Sequence, residues 1–142
     1  MNTGHEGGMS TIHANDTRDA LSRLEMLIGM AAPELPMWFI HRQISAAIHI
    51  VVQVARLAGG ERRIIQISEV TGMHGETINM HDVFVFQQTG IDEQRRALGQ
   101  FKVRGIQPNC LARFEACGLN VDRSIFERGN CEFDRIDYVR GL

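Results

Sequence analysis

Cysteine is scarce. Cys110, Cys117 and Cys131 are the only three, an odd count with no CxxC pair. That pattern excludes a disulfide framework and a zinc ribbon, and it predicts reduced thiols in a cytosolic chain. An excess of one charge is also lacking. The formal net charge is −2 and the isoelectric point lies near 6.3, so no field exists to hold a phosphate backbone, and a nucleic-acid partner is not expected. Arg62–Arg63 and Arg95–Arg96 are basic pairs, but each has acids close by and reads as a solvated face. Long apolar runs are missing: the longest, residues 44–55, is interrupted by Ser45, His49 and Gln53 and is too short to span a bilayer. No basic region precedes an apolar run at the N-terminus, so no signal peptide is read there. No repeat or low-complexity segment occurs. The chain is expected to be soluble and cytoplasmic, with no direct membrane span.

What is present fits one domain. The 142 residues can bury a moderate core. With 44% apolar and 23% charged residues, the composition is that of a globular chain. Residues 9–14 are β-compatible and follow a Gly-rich turn, so a strand is predicted with Met9, Thr11 and His13 on one face. A helix start follows, with Asp16 as cap and Asp19 three residues later as its capping-box-like partner. Leu21, Leu24, Leu27 and Ile28 recur at helical spacing, Gly29 weakens the last turns, and Pro33 ends them. Pro36 suits the first turn of a second helix running to about Ile48, with Phe39, Ile40, Ile44, Ala47 and Ile48 as its apolar set.

From Ile50 the period changes. Residues 50–57 and 62–70 are β-branched runs separated by Ala58-Gly59-Gly60-Glu61, a hairpin signal. A third strand is predicted over 77–87 after a turn at Gly72–Gly75, which gives two helices followed by an antiparallel meander. Farther on, 100–104 suits a short strand. Residues 108–117 suit a helix with Leu111 and Phe114 inward and Gly118 at its end.

The chemistry-bearing residues lie early. His5 and His13 flank a glycine pair in a run of small hydroxyl residues. By residue type alone, three readings stand. Both can be structural, one in a turn and one satisfied in a strand. They can hold a metal, but no third ligand lies at a helpful spacing, and no metal site is assigned. They can meet phosphate, because Thr3, Ser10 and Thr11 donate to oxyanions, glycines admit close backbone N–H groups, and imidazole donates to a terminal phosphate.

Thr3-Gly4-His5-Glu6-Gly7-Gly8-Met9-Ser10-Thr11-Ile12-His13-Ala14-Asn15 resembles the histidine box of the type II/IV secretion ATPases. The resemblance continues through residues 19–26 and from Gln43-Ile44 to Ser68-Glu69-Val70. Asp82-Val83-Phe84-Val85-Phe86, Gln88-Thr89-Gly90, Gly99-Gln100-Phe101 and Gly105-Ile106-Gln107-Pro108 are similar to the CpaF-type ATPases of Tad pili. It covers nearly all of residues 2–128, with several separated motifs in the family's order. There are departures. Gly8 stands where Ser is usual, Asp16-Thr17 replaces Ser-Pro, and His49 stands where Asp is common, which puts a salt bridge and local packing in question.

The resemblance implies an α/β fold: the C-terminal portion of a RecA-like P-loop NTPase domain (residues 1–89: strand, two helices, antiparallel meander), a short CpaF-type α/β extension (90–128) and an unassigned tail (129–142). It is expected to be an incomplete domain, with Met1 an internal methionine of a longer protein. The GxxxxGK[ST] phosphate loop, the acidic box and the catalytic glutamate strand that family members carry before the histidine box do not occur, and Gly4–Gly8 cannot substitute, since no Lys-Ser or Lys-Thr follows. The parent is expected to hydrolyse ATP with Mg²⁺ as a homo-hexamer, on inner-membrane secretion or pilus platform proteins and peripheral to that membrane. His13 is expected to contact the γ-phosphate or the attacking water. His5 would order the turn or couple to a neighbouring subunit, with Thr3, Gly4 and Thr11 near the nucleotide. Arg18 and Arg23 start the following helix and can face a subunit interface. The rival expectation is a non-catalytic remnant or interaction module that joins or poisons full-length rings.

Overall fold

A computed structural model describes residues 7–127 of the chain. Two helices come first, α1 (Thr17–Ala31) and α2 (Met37–Ala47). Four strands follow: β1 (Ile50–Arg56), β2 (Arg62–His74), β3 (Thr77–Ile91) and β4 (Ala97–Val103). A short helix, α3 (Leu111–Ala116), and a 3-10 turn (Arg123–Phe126) close the described part. The strands form one antiparallel sheet in the order β1-β2-β3-β4. The predicted meander is therefore present, with β1 ending one residue earlier than expected and β2 and β3 running longer. β3 passes residue 89, and β4 continues the same sheet.

The local reasons match the sequence. Asp16 sits extended at the helix cap, and its carboxylate accepts the Asp19 N–H at 2.8 Å, satisfying one of the donors left free in a first turn. Asp19 does not reach back to complete a capping box; its other contact is the Asn15 amide at 2.8 Å. Pro36 takes the cap position of α2, one residue before the helix starts. The β2–β3 turn falls at Gly75 and Glu76, with Gly75 at φ +61°. Gly72 lies inside β2, beside a register shift, where an unpaired extra residue bends the strand.

Two cores hold these pieces. Leu21 of α1 and Ile40 and Ile44 of α2 bury against Val70 and Ile78, with Leu24, Ile28 and Ile48 at the margin. Val83 and Val103 bury against Leu111 and Phe126, so β3 and β4 carry α3 and the 3-10 turn. Leu111 faces inward as expected, but Phe114 does not: it is among the exposed large hydrophobics. The helix is six residues long, and one inward anchor suffices for so short an element.

The strand expected over 9–14 is not formed. Residues 7–14 form no strand, and Met9 is fully exposed. A strand needs a neighbour for its backbone donors and acceptors, and among the described residues this segment pairs with neither edge of the sheet. No described helix is long and apolar enough to cross a membrane.

Candidate functional site

The segment before α1 is fixed at its end rather than along its length. Gln53 of β1 donates its side-chain N–H to the Ala14 carbonyl at 2.9 Å, and Asp16 caps the helix directly after. Just before these two anchors, His13 stands exposed on an open groove of about 490 Å³ that Asn15, Asp19, Ser22, Arg23 and Met26 also line. The groove offers an imidazole, an amide, a hydroxyl and a guanidinium, all able to donate to an oxyanion. Its one carboxylate, on Asp19, is engaged by Asn15.

The structure brings His13 and Arg23 to one groove. Thr11 is exposed and does not line it. Thr3, Gly4 and His5 lie outside the described residues. Arg18 faces elsewhere, onto a second groove of about 350 Å³ formed with Asp16, Gln66, His81 and Asp82. His49 is exposed, and its carbonyl accepts the Val70 N–H at 2.8 Å. The side chain standing where Asp is common therefore carries no core packing.

Along the second groove runs a largely buried polar chain that sequence reasoning missed. Ser68 of β2 donates to the Asp82 carboxylate of β3 at 2.8 Å, and Gln66 donates to the same oxygen at 2.8 Å. The Thr17 hydroxyl lies 2.8 Å from that of Ser68. Ser68 has spent its one proton on Asp82, so Thr17 must be the donor. The order Thr17 to Ser68 to Asp82 ties the first turn of α1, and the His13 segment before it, to the centre of the sheet. Next along β2, Glu69 is 3% exposed and accepts the backbone N–H groups of Asn109 and Cys110, each at 2.8 Å. His81 brings its Nε2 to 3.5 Å from the same carboxylate. The Cys110 thiol is pushed up from its ordinary range, by burial first and by the Glu69 carboxylate second.

The family model described as type II/IV secretion system protein matches residues 1–108 of the chain. The chain belongs to that family. It is 36% identical over 75 residues to a putative conjugal transfer protein of Mycobacterium tuberculosis, covering 53% of this chain and 21% of the relative. It is similar to the conjugal transfer protein TrbB of Rhizobium radiobacter, 37% identical over 71 residues, 50% of this chain and 20% of the relative. A probable TrbB of Sinorhizobium fredii is 41% identical over 69 residues, 49% of this chain and 20% of the relative. The chain thus spans about a fifth of the length of these relatives.

The secretion-family span takes in both long helices and all four strands. It ends at Pro108, so Glu69 lies inside the family span while the two amides it holds lie just beyond. One signal for this arrangement is visible in the sequence. Ser68 and Glu69 are adjacent polar residues inside a β-branched run, so the strand must bury one on each face. Nothing in the sequence names their partners, which lie 14 to 51 positions away.

Proposed function

We propose that this chain is a portion of a secretion or conjugation ATPase of the CpaF type, the C-terminal part of a RecA-like domain working in a homo-hexameric ring. The observation that carries the reading is the family span over residues 1–108 together with an exposed His13 at the head of a donor-lined groove. Relatives named as conjugal transfer proteins support a role in transfer, and we read the parent as a motor that moves protein or pilin subunits at a membrane platform. The residues present fit one side of a polyphosphate: His13, Ser22 and Arg23 can donate to its oxygens. They offer no Lys-Ser or Lys-Thr pair for the β- and γ-phosphates and Mg²⁺, which the parent would supply from elsewhere. ATP with Mg²⁺ supplies the phosphoryl chemistry when bound, and this segment contributes positioning and charge at one face. In this reading His13 reports the state of the terminal phosphate, His5 orders the turn or couples to a neighbouring subunit, and Thr3, Gly4 and Thr11 lie near the nucleotide.

The test uses a protein in which this segment follows a domain bearing GxxxxGK[ST]. His13→Ala is expected to lower kcat by roughly 10- to 100-fold, with KM for ATP changed by less than about threefold, because the phosphate loop carries most of the affinity. Equal losses in ATP affinity and turnover would make His13 a binding residue and sink the sensor role. The 142 residues alone, without a phosphate loop, are expected to release no phosphate above background. That same lack favours a second reading, a non-catalytic module that joins full-length rings. Adding the chain to such rings and finding their turnover reduced in proportion would support it.

A further inference from the structure

Two hairpins close the same end of the sheet, and their loops share one hydrogen-bond pattern. In the first, the Leu57 N–H donates to the Glu61 carbonyl at 2.8 Å and the Gly60 N–H to the Leu57 carbonyl at 3.0 Å. In the second, the Asp92 N–H donates to the Arg96 carbonyl at 2.9 Å and the Arg95 N–H to the Asp92 carbonyl at 2.9 Å. Each three-residue loop ends on a left-handed residue: Gly60 at φ +87° and Arg95 at φ +63°. This geometry suits glycine, and a residue with a Cβ is disfavoured there. Arg95 is the one non-glycine with positive φ among the described residues. The two tips also touch, since a Cβ on Gly59 would lie 1.8 Å from the Arg95 carbonyl oxygen.

Charge collects on this joined tip. Arg56 and Arg62 are directly paired across β1 and β2, and like charges so placed destabilise a sheet. Arg56 donates to the Gly60 carbonyl at 3.2 Å, which holds it over the first loop. Arg63 is neutralised by Glu61 at 2.9 Å, and Arg96 by Asp92 at 2.8 Å. Arg56, Arg62 and Arg95 are exposed and have no acidic partner among the described residues. Among the described residues each basic pair is thus half neutralised, with one arginine in each lacking an acidic partner.

We propose that this double-hairpin tip is a docking surface for an acidic segment of a partner protein. Three guanidinium forks on a rigid support suit carboxylates, which they can grip through two parallel bonds each. Such a partner also relieves the Arg56–Arg62 repulsion. A lipid surface fits less well. Membrane-binding patches gather about four to eight unbroken basic residues, whereas Glu61, Asp92 and Glu93 are interleaved here. The surface shares no residue with the His13 groove.

The experiment is fluorescence anisotropy of a labelled oligoglutamate peptide with the purified chain at low salt, with Arg62→Gln, Arg95→Gly and the double variant beside it. Each single change is expected to weaken binding by roughly threefold and the double by about tenfold, and about 0.5 M salt should abolish it. Arg95→Gly carries a second readout, because relief of the left-handed strain should raise Tm by roughly 2–5 °C while binding falls. Unchanged affinity in the folded double variant overturns the proposal. So does stronger Arg62- and Arg95-dependent capture by phosphatidylglycerol vesicles than by the peptide, which would assign the tip to a lipid surface.

Discussion

The Thr17 and Ser68 hydroxyls lie 2.8 Å apart although 51 positions separate them, and both residues are buried. Thr17 opens α1 and Ser68 sits mid-β2, so this bond sets where the His13 segment rests on the sheet. Ser68→Ala removes the acceptor for Thr17 and one donor to Asp82, leaving a buried hydroxyl unpaired. We expect a loss of about 1–3 kcal/mol in urea unfolding. Thr17→Val should cost less, and the double variant should cost less than the two singles combined by about 0.5 kcal/mol or more. Strict additivity would mean that the chain of hydroxyls is not a unit.

Much of the architecture was legible because it is local. Asp16 before an apolar stripe, Gly59-Gly60 between β-branched runs and Leu111 in a short helix each act on near neighbours, and each lies where the pattern put it. The strand predicted over 9–14 failed for the opposite reason. Its alternation is compatible with a strand, but pairing depends on a neighbour that the alternation does not encode. The same holds for the site. The resemblance singles out His13, whereas its support through Gln53, Thr17 and Ser68 comes from long-range contacts that periodicity cannot carry.

Glu69 offers a test of how the segment leading into α3 is attached. Its two carboxylate oxygens hold the Asn109 and Cys110 amides from inside the sheet. Glu69→Gln keeps one acceptor, replaces the other with a donor facing an N–H, and removes the charge. Amide exchange at Asn109 and Cys110 should quicken at least tenfold, while the β1–β2 ladder should change little, and stability should drop by roughly 1–3 kcal/mol. Exchange that quickens equally across β1 would place Glu69 in the global core instead.

Cys110 and Cys117 should separate cleanly in alkylation. Burial and the nearby Glu69 carboxylate raise the Cys110 pKa, so its thiolate is depleted at any pH below that raised value. Cys117 is exposed. With iodoacetamide near pH 8, followed by peptide mass spectrometry, Cys117 is expected to label at least several-fold faster. Glu69→Gln should narrow the gap by removing the carboxylate. Equal rates in the folded chain would contradict the burial of Cys110.

Asp92 closes the β3–β4 hairpin by accepting the Arg96 backbone N–H at 2.7 Å and its side chain at 2.8 Å. The Arg96 amide is the main cause that holds its carboxyl below the ordinary range, with burial opposing and the guanidinium adding to the fall. The folded pKa is below the unfolded one, so the hairpin gains stability above the unfolded value, about 4, and loses it as pH falls through the folded value. A carboxyl-carbon NMR titration should find Asp92 among the last side chains to protonate. Asp92→Asn should flatten the acid limb of the stability profile. An Asp92 midpoint at or above the ordinary value would refute this account.

Residues 7–14 have no strand partner among the described residues, and β1 leaves Ile50, Val52 and Val54 exposed at the sheet's edge. An unpaired amide exchanges readily, and an open edge with an apolar face invites association. In the 142-residue chain, amides 7–14 should exchange within seconds, those of β2 and β3 should be slowest, and concentrated solutions should self-associate. Placed after a complete nucleotide-binding half, residues 9–14 should gain protection of at least about a hundredfold as that half supplies the missing neighbour, and the self-association should fade. Strong protection of 9–14 in the 142-residue chain alone would show that the segment is already paired. It would also remove the structural ground for a larger RecA-like sheet.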